Sequence, residues 1–194
     1  MKINITNKSA LIVVDVQNDF CPGGALAVPA GDMVVSVLNT YSKRFIEKGL
    51  PVYFTRDWHP ENHVSFKSQG GIWPPHCIQG TEGAKFHHEL VILANAIIIS
   101  KGMYTDRDAY SGFQDTDLGS QLTATGVRRL FIGGLATDYC VKSTVLGALN
   151  NGFEVVFLSD ASKGVDVNKG DSELAIEEML REGAIKIILE DIDG

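Results

Sequence analysis

The run Ala10-Leu11-Ile12-Val13-Val14 is apolar at every position and closes on Asp15. A strand with one wet face alternates apolar and polar residues. A run without alternation needs cover on both faces, as in the centre of a parallel sheet flanked by helices. Short apolar runs of the same kind recur at 51–55, 96–100, 127–132, 153–158 and 185–189. Between them lie stretches of helical periodicity. In 32–48 apolar residues at Met33, Val34, Val37, Leu38, Tyr41, Phe45 and Ile46 repeat at helical spacing, and Gly49 stops the pattern. Further helices are expected at 118–125, 138–150 and 172–182, with glycine after each. Strands alternating with helices predict a three-layer, doubly wound α/β fold with a mostly parallel sheet of about six strands. The 194 residues suffice for one core, so residues 1–194 are read as one domain.

Two loops break the alternation. The stretch 58–83 is polar and rich in Pro and Gly, yet it carries Trp58, Trp73, His59, His63, His76 and the pair Pro74-Pro75. Such a loop inside a compact domain is expected to be ordered and functional. The second loop, 102–116, carries Tyr104 and Tyr110.

Composition narrows the partners. Asp and Glu number 24 against 17 Lys and Arg, for a formal charge of −7, which argues against nucleic acid. No segment reaches the roughly 18 apolar residues of a membrane span, and no apolar run precedes Ala10, so neither a membrane anchor nor a signal peptide is expected. Three cysteines, Cys21, Cys77 and Cys140, are an odd number without framework spacing. That fits a protein of the reducing cytoplasm.

In open α/β sheets ligands bind beyond the carboxyl ends of the strands. Asp15 ends the first run, Asp57 follows the second, Lys101 the third and Cys140 the fourth. Gly133-Gly134 is read as the end of the fourth strand. Thr137 or Asp138 is read as the cap of the next helix, which puts Cys140 in its first turn, where the helix dipole favours thiolate. The set supports acyl transfer: Cys140 as nucleophile, Asp15 as base, and Lys101 as the cation beside both. Backbone N–H groups around Ala136 and Cys140 are candidates for an oxyanion hole.

Asp57 and His59 fall on one side of an extended segment, and His76 follows a stiff proline pair. With His63 as a fourth candidate, they make an N,N,O ligand set suited to Zn²⁺, Fe²⁺ or Mn²⁺. The alternative is a polar loop whose histidines only make hydrogen bonds. His87-His88 is read as surface. Phe20, Trp73 and Tyr110 sit on loops beyond strand ends, where flat side chains either receive a small planar substrate or plug the core.

The segments Asp15-Val16-Gln17-Asn18-Asp19-Phe20, Thr55-Arg56-Asp57-Trp58-His59-Pro60, Trp73-Pro74-Pro75-His76-Cys77, Lys101-Gly102 and Gly134-Leu135-Ala136-Thr137-Asp138-Tyr139-Cys140-Val141 occur in this order along nearly the whole chain. Together they resemble the nicotinamidases (pyrazinamidases) among the isochorismatase-like cysteine hydrolases. The resemblance implies a catalytic triad of Asp15, Lys101 and Cys140. It also implies one divalent metal, zinc first and iron or manganese otherwise, on Asp57, His59 and His76. The oxyanion hole would be the N–H groups of Ala136 and Cys140, with a cis peptide between Leu135 and Ala136. The implied reaction converts nicotinamide, and with it pyrazinamide, to nicotinate or its analogue and ammonia through a thioester. It serves NAD salvage and uses no NAD or other organic cofactor. Self-association is left open. The rival readings are another amidase or hydrolase of the superfamily acting on a different small amide, and a non-catalytic ligand-binding α/β domain.

Overall fold

The computed structural model describes residues 2–94 and 96–193. Strand β1, Ser9–Val14, is buried along its whole length. It pairs in parallel with β2, Val52–Asp57, on one side and β4, Arg129–Leu135, on the other. Strand β3, Ile97–Lys101, flanks β2, while β5, Glu154–Lys163, and β6, Ile185–Ile187, extend the sheet beyond β4. The order is β3-β2-β1-β4-β5-β6, and every pairing is parallel. The chain thus builds outward on one side of β1, then returns to build outward on the other. The carboxyl ends of β1 and β4 meet at this switch point, where a doubly wound sheet places its ligand cleft.

The missing alternation in β1 now has its cause. Leu11 and Val13 pack on one face of the sheet with Val35, Leu38 and Phe45 of α1, Val34–Glu47. Ala10, Ile12 and Val14 pack on the other with Val145 and Ala148 of α3, Lys142–Asn150. Helices α2, Leu118–Ala124, and α4, Asp171–Arg181, supply Leu118, Leu122 and Met179 to that second layer.

Several boundaries differ from the sequence expectation; β6, for one, ends at Ile187 rather than at 189, and three others bear on the site. Strand β4 does not end at Gly133-Gly134 but runs through both to Leu135. A Cβ on Gly134 would stand 2.1 Å from the Val14 carbonyl oxygen, and φ there is +129°. The pair therefore allows two strands to close tightly rather than marking a stop. Strand β5 continues five residues beyond 158. Ile132 faces Phe157 and Gly134 faces Ser162, so the β5 edge bulges before pairing resumes. The third difference concerns the helix start. Residues Thr137–Val141 form a single π-helical turn leading into α3, and neither Thr137 nor Asp138 caps it. Ala136 occupies the cap position without a side-chain hydrogen bond.

Candidate active site

Asp15, Lys101 and Cys140 arrive from three separate segments and meet below the surface, 0%, 1% and 6% exposed. Asp15 stands where β1 leaves the sheet, at φ +49°, a left-handed turn that Asp tolerates better than most residues. Its Oδ1 accepts the Thr55 hydroxyl at 2.6 Å, and its Oδ2 lies 2.9 Å from the Lys101 ammonium. Lys101 Nζ also donates to the Ala109 carbonyl at 3.2 Å and to Cys140 Sγ at 3.3 Å, and forms an ion pair with Asp57. One buried ammonium thus touches the candidate base, the candidate nucleophile and a candidate metal ligand.

The electrostatics follow from burial. Desolvation raises the Asp15 carboxyl above its ordinary value, with Lys101 pulling the other way. Burial also pushes the Cys140 thiol well up, and the neighbouring carboxylates add to this against Lys101. Burial therefore works against the thiolate that the helix dipole favours. A thiol pushed up by burial beside a carboxyl made more basic by burial is an arrangement suited to proton transfer between the two. For Lys101, burial opposes the charge, but Asp15 and Asp57 outweigh it and keep it an ammonium. Asp57 is held well below the usual carboxylate range: burial raises it, and Lys101 and His59 overcome that.

The second cluster adjoins the first. Ligand atoms of Asp57, His59 and His76 all lie within 4.8 Å of one another, and all three residues are buried. His59 Nδ1 faces the Gly102 carbonyl at 2.9 Å and His76 Nδ1 faces the Pro74 carbonyl at 2.8 Å. A carbonyl only accepts, so both rings carry their proton on Nδ1 and leave the Nε2 lone pair for a cation. His59 Nε2 lies 3.5 Å from Asp57 Oδ2. Two imidazole nitrogens and one carboxylate oxygen, with no fourth side chain closing the set among the described residues, fit a divalent ion with open positions. Burial lowers His76, whereas Asp57 carries His59 above its ordinary value despite burial.

His63 does not join this set. Its Nε2 faces the Arg107 carbonyl at 3.1 Å and its Nδ1 faces the Ser65 hydroxyl at 2.7 Å, so both nitrogens are engaged. The ring instead stacks on His59, with centroids 4.0 Å apart. His63 supports a candidate ligand from behind. His87 and His88 lie outside the cluster, as expected.

The cleft above Cys140 is lined by Phe20, Trp73 and Tyr110, which the structure brings together with His59 and His76. Trp73 Nε1 donates to the Tyr110 hydroxyl at 2.9 Å, linking two of the rings. Phe20 packs against His76, with centroids 5.6 Å apart. Ala136, preceded by a cis peptide from Leu135, and Cys140 both line the same cleft. Tyr104, on the same loop as Tyr110, is exposed under the Arg107 guanidinium.

Several contributors were not singled out from sequence. Tyr139, beside the cysteine, lines the cleft and packs edge-on against Trp73, and Val165 lines it from beyond β5. Gln17 is fully buried and grips the Asp57 backbone from both sides. Its Oε1 accepts Asp57 N–H at 2.7 Å, and its Nε2 donates to Asp57 O at 2.8 Å. The signal for Thr55 was a polar side chain closing an otherwise apolar run, and for Gln17 one that lies just beyond such a run. Gly102 is another: a Cβ there would stand 2.5 Å from His59 Cε1.

A doubly wound α/β sheet carrying a buried cysteine, a carboxylate and a lysine at its switch point has the architecture of a cysteine hydrolase. Residues 9–190 match the family described as "Isochorismatase domain", and the chain belongs to that family. A nicotinamidase of Escherichia coli (strain K12) is 42% identical over 94% of this chain and 95% of its own. The pyrazinamidase of Pyrococcus horikoshii, solved in complex with zinc, is 50% identical with a TM-score of 0.90, over 94% of this chain and 99% of its own. PnC1 from L. infantum, solved in complex with nicotinate, is 33% identical with a TM-score of 0.91, over 100% and 99% of the two chains.

Proposed function

We propose that this chain is an amidohydrolase that converts nicotinamide to nicotinate and ammonia through a thioester on Cys140. The observation that carries the reading is the buried contact of Asp15, Lys101 and Cys140 at the foot of an aromatic cleft, beside two oriented imidazoles. The nicotinamidase relatives add the substrate.

Asp15 takes the thiol proton as Cys140 Sγ bonds to the carboxamide carbon. The oxyanion is received by the backbone N–H groups of Ala136 and Cys140. When the carbonyl re-forms, the C–N bond breaks and protonated Asp15 passes its proton to the departing nitrogen, releasing ammonia. Asp15 then takes a proton from water as the water attacks the thioester, which restores the thiol and releases nicotinate. Lys101 keeps its charge throughout and balances whichever of Asp15 and Cys140 is anionic. Trp73, Tyr110 and Phe20 hold the flat ring, so that binding does the work of orientation. A divalent ion on Asp57, His59 and His76, zinc in the first instance, would supply a Lewis-acid anchor for the ring nitrogen. Pyrazinamide offers the same carboxamide on a ring with a nitrogen at the same place and is the second substrate. The cellular role that follows is NAD salvage in the cytoplasm.

Ammonia release from nicotinamide, measured with and without a chelator, tests the reading. Turnover that falls with chelation and returns with zinc is expected; no ammonia from the metal-loaded protein would overturn it.

A further inference from the structure

The turn that presents Cys140 carries two polar side chains, Thr137 and Asp138, that are not spent on capping the helix. Both reach across to β5 and the segment after it. Thr137 Oγ1 bonds Ser162 Oγ at 2.7 Å. Asp138, 8% exposed, does more: its Oδ1 accepts the N–H of Val165 at 2.9 Å and its Oδ2 accepts the N–H of Asp166 at 2.8 Å. A single carboxylate is thus matched to two successive backbone donors.

The segment it holds has few other ties: Asn168 N–H donates to Asp171 Oδ2 at 2.8 Å, and Val165 packs against the core on the α1 side of the sheet. Residues 166–169 are exposed, so few core contacts fix the path between β5 and α4. The approach is close: a Cβ on Gly164 would stand 1.7 Å from Ser172 Oγ and 3.1 Å from Asp138 Oδ1. Asp166 passes the link on, its Oδ1 accepting Ser172 N–H at 2.8 Å in the first turn of α4. Half-buried within this fastened segment, Val165 lines the cleft together with Cys140 and Tyr139.

We propose that Asp138 is a positioning residue that sets the substrate selectivity of the cleft by fixing Val165 as part of its wall. The residue two before the nucleophile thereby ties the reacting sulfur and one wall of the ring site to a single carboxylate. This rests on the nicotinamide reading given above. Asp138→Ala removes both acceptors and frees the wall. Asp138→Asn keeps the volume but turns an amide N–H₂ toward one of the two donors, so it loosens the same wall with less risk to folding.

The test compares kcat/KM for nicotinamide with kcat/KM for its ring-methylated derivatives, in the wild type, Asp138→Ala, Asp138→Asn, Val165→Ala and the double variant Asp138→Asn/Val165→Ala. A well-placed apolar wall rejects one extra methyl by about tenfold or more. Asp138→Ala and Asp138→Asn are expected to reduce the discrimination against the most disfavoured isomer by about that factor. Val165→Ala should do the same, and the double variant should be no more permissive than either single change, because both act through one wall. An unchanged discrimination ratio in Asp138→Asn, even with lower overall activity, overturns the proposal. So does a double variant whose effects multiply. A wild type that releases no ammonia from nicotinamide fails the earlier reading; a wild type that does so, with variants of unaltered selectivity, fails this inference alone.

Discussion

Two buried clusters share one edge of the sheet, and they are held in place differently. Asp15 and Lys101 stand at strand ends, and Cys140 in the turn after β4, so the sheet register places all three. Asp57 also comes from a strand, but His59 and His76 come from the long loop and owe their aim to backbone carbonyls of Gly102 and Pro74. The loop is in turn held by short bridges and side chains rather than by the sheet: Asp19 Oδ2 accepts Cys77 N–H at 2.7 Å, His59 N–H reaches the Cys77 carbonyl at 3.0 Å, and Gln79 N–H reaches the His59 carbonyl at 2.9 Å. The comparison teaches that the candidate nucleophile, base and lysine are placed by hydrogen-bonded strands, whereas the candidate metal ligands rest largely on a loop stiffened by prolines and rings. Lys101 is the joint between them.

The sharpest break separates nucleophile from ligand set. Cys140→Ala should reduce turnover by on the order of 10⁴-fold or more, with the zinc content of the purified protein unchanged. Residual activity near wild type would remove Cys140 from the mechanism. Lys101→Met strikes both clusters at once, because Asp15 and Asp57 lose their common counter-charge. Activity should fall by about 10²-fold or more, and unfolding should become easier by about 3–5 kcal/mol, the usual cost of leaving a buried charge unpaired. Denaturant titration beside the ammonia assay checks both; a stable, active Lys101→Met would show the clusters to be independent.

His76→Ala acts on the loop-built half alone. Metal content should fall well below one equivalent by elemental analysis, and turnover by about 10²-fold, while a thiol reagent still labels Cys140. Loss of labelling would mean that the ligand set also positions the nucleophile. Gln17→Ala probes the backbone grip behind Asp57. Its zinc affinity, measured by calorimetry on the apoprotein, should weaken by about tenfold, the low end for a supporting contact. The smallest effect is expected from Thr55→Val, which removes one hydrogen bond to Asp15. That is worth about 1 kcal/mol, or roughly fivefold in kcat/KM. An unaltered rate would place Thr55 in packing only.

Much of this arrangement was legible in the sequence because strand ends are marked by composition. Apolar runs closing on Asp15, Asp57 and Lys101 predicted both the sheet and its reactive edge. The tail of β5 was not legible: Ser159, Asp160, Ser162 and Lys163 break the apolar pattern where the strand bulges. The helix start was misread for a related reason. Thr137 and Asp138 have the chemistry of caps, but their partners lie about 25 residues away, in a segment that spacing does not bring near. His63 shows the same limit. Loop spacing leaves His63 a fourth candidate beside Asp57, His59 and His76, and only the positions of the Arg107 carbonyl and the Ser65 hydroxyl show where its ring nitrogens are engaged.

Lys101 and Gly102 are consecutive, yet they serve opposite halves of the site. One sends an ammonium into the triad, and the next turns its carbonyl to His59 without the bulk of a side chain. A deletion or insertion of one residue in β3 would therefore misplace the lysine and the imidazole's anchor together. Length change should be poorly tolerated there, even though β3 is an edge strand, where sheets ordinarily forgive it.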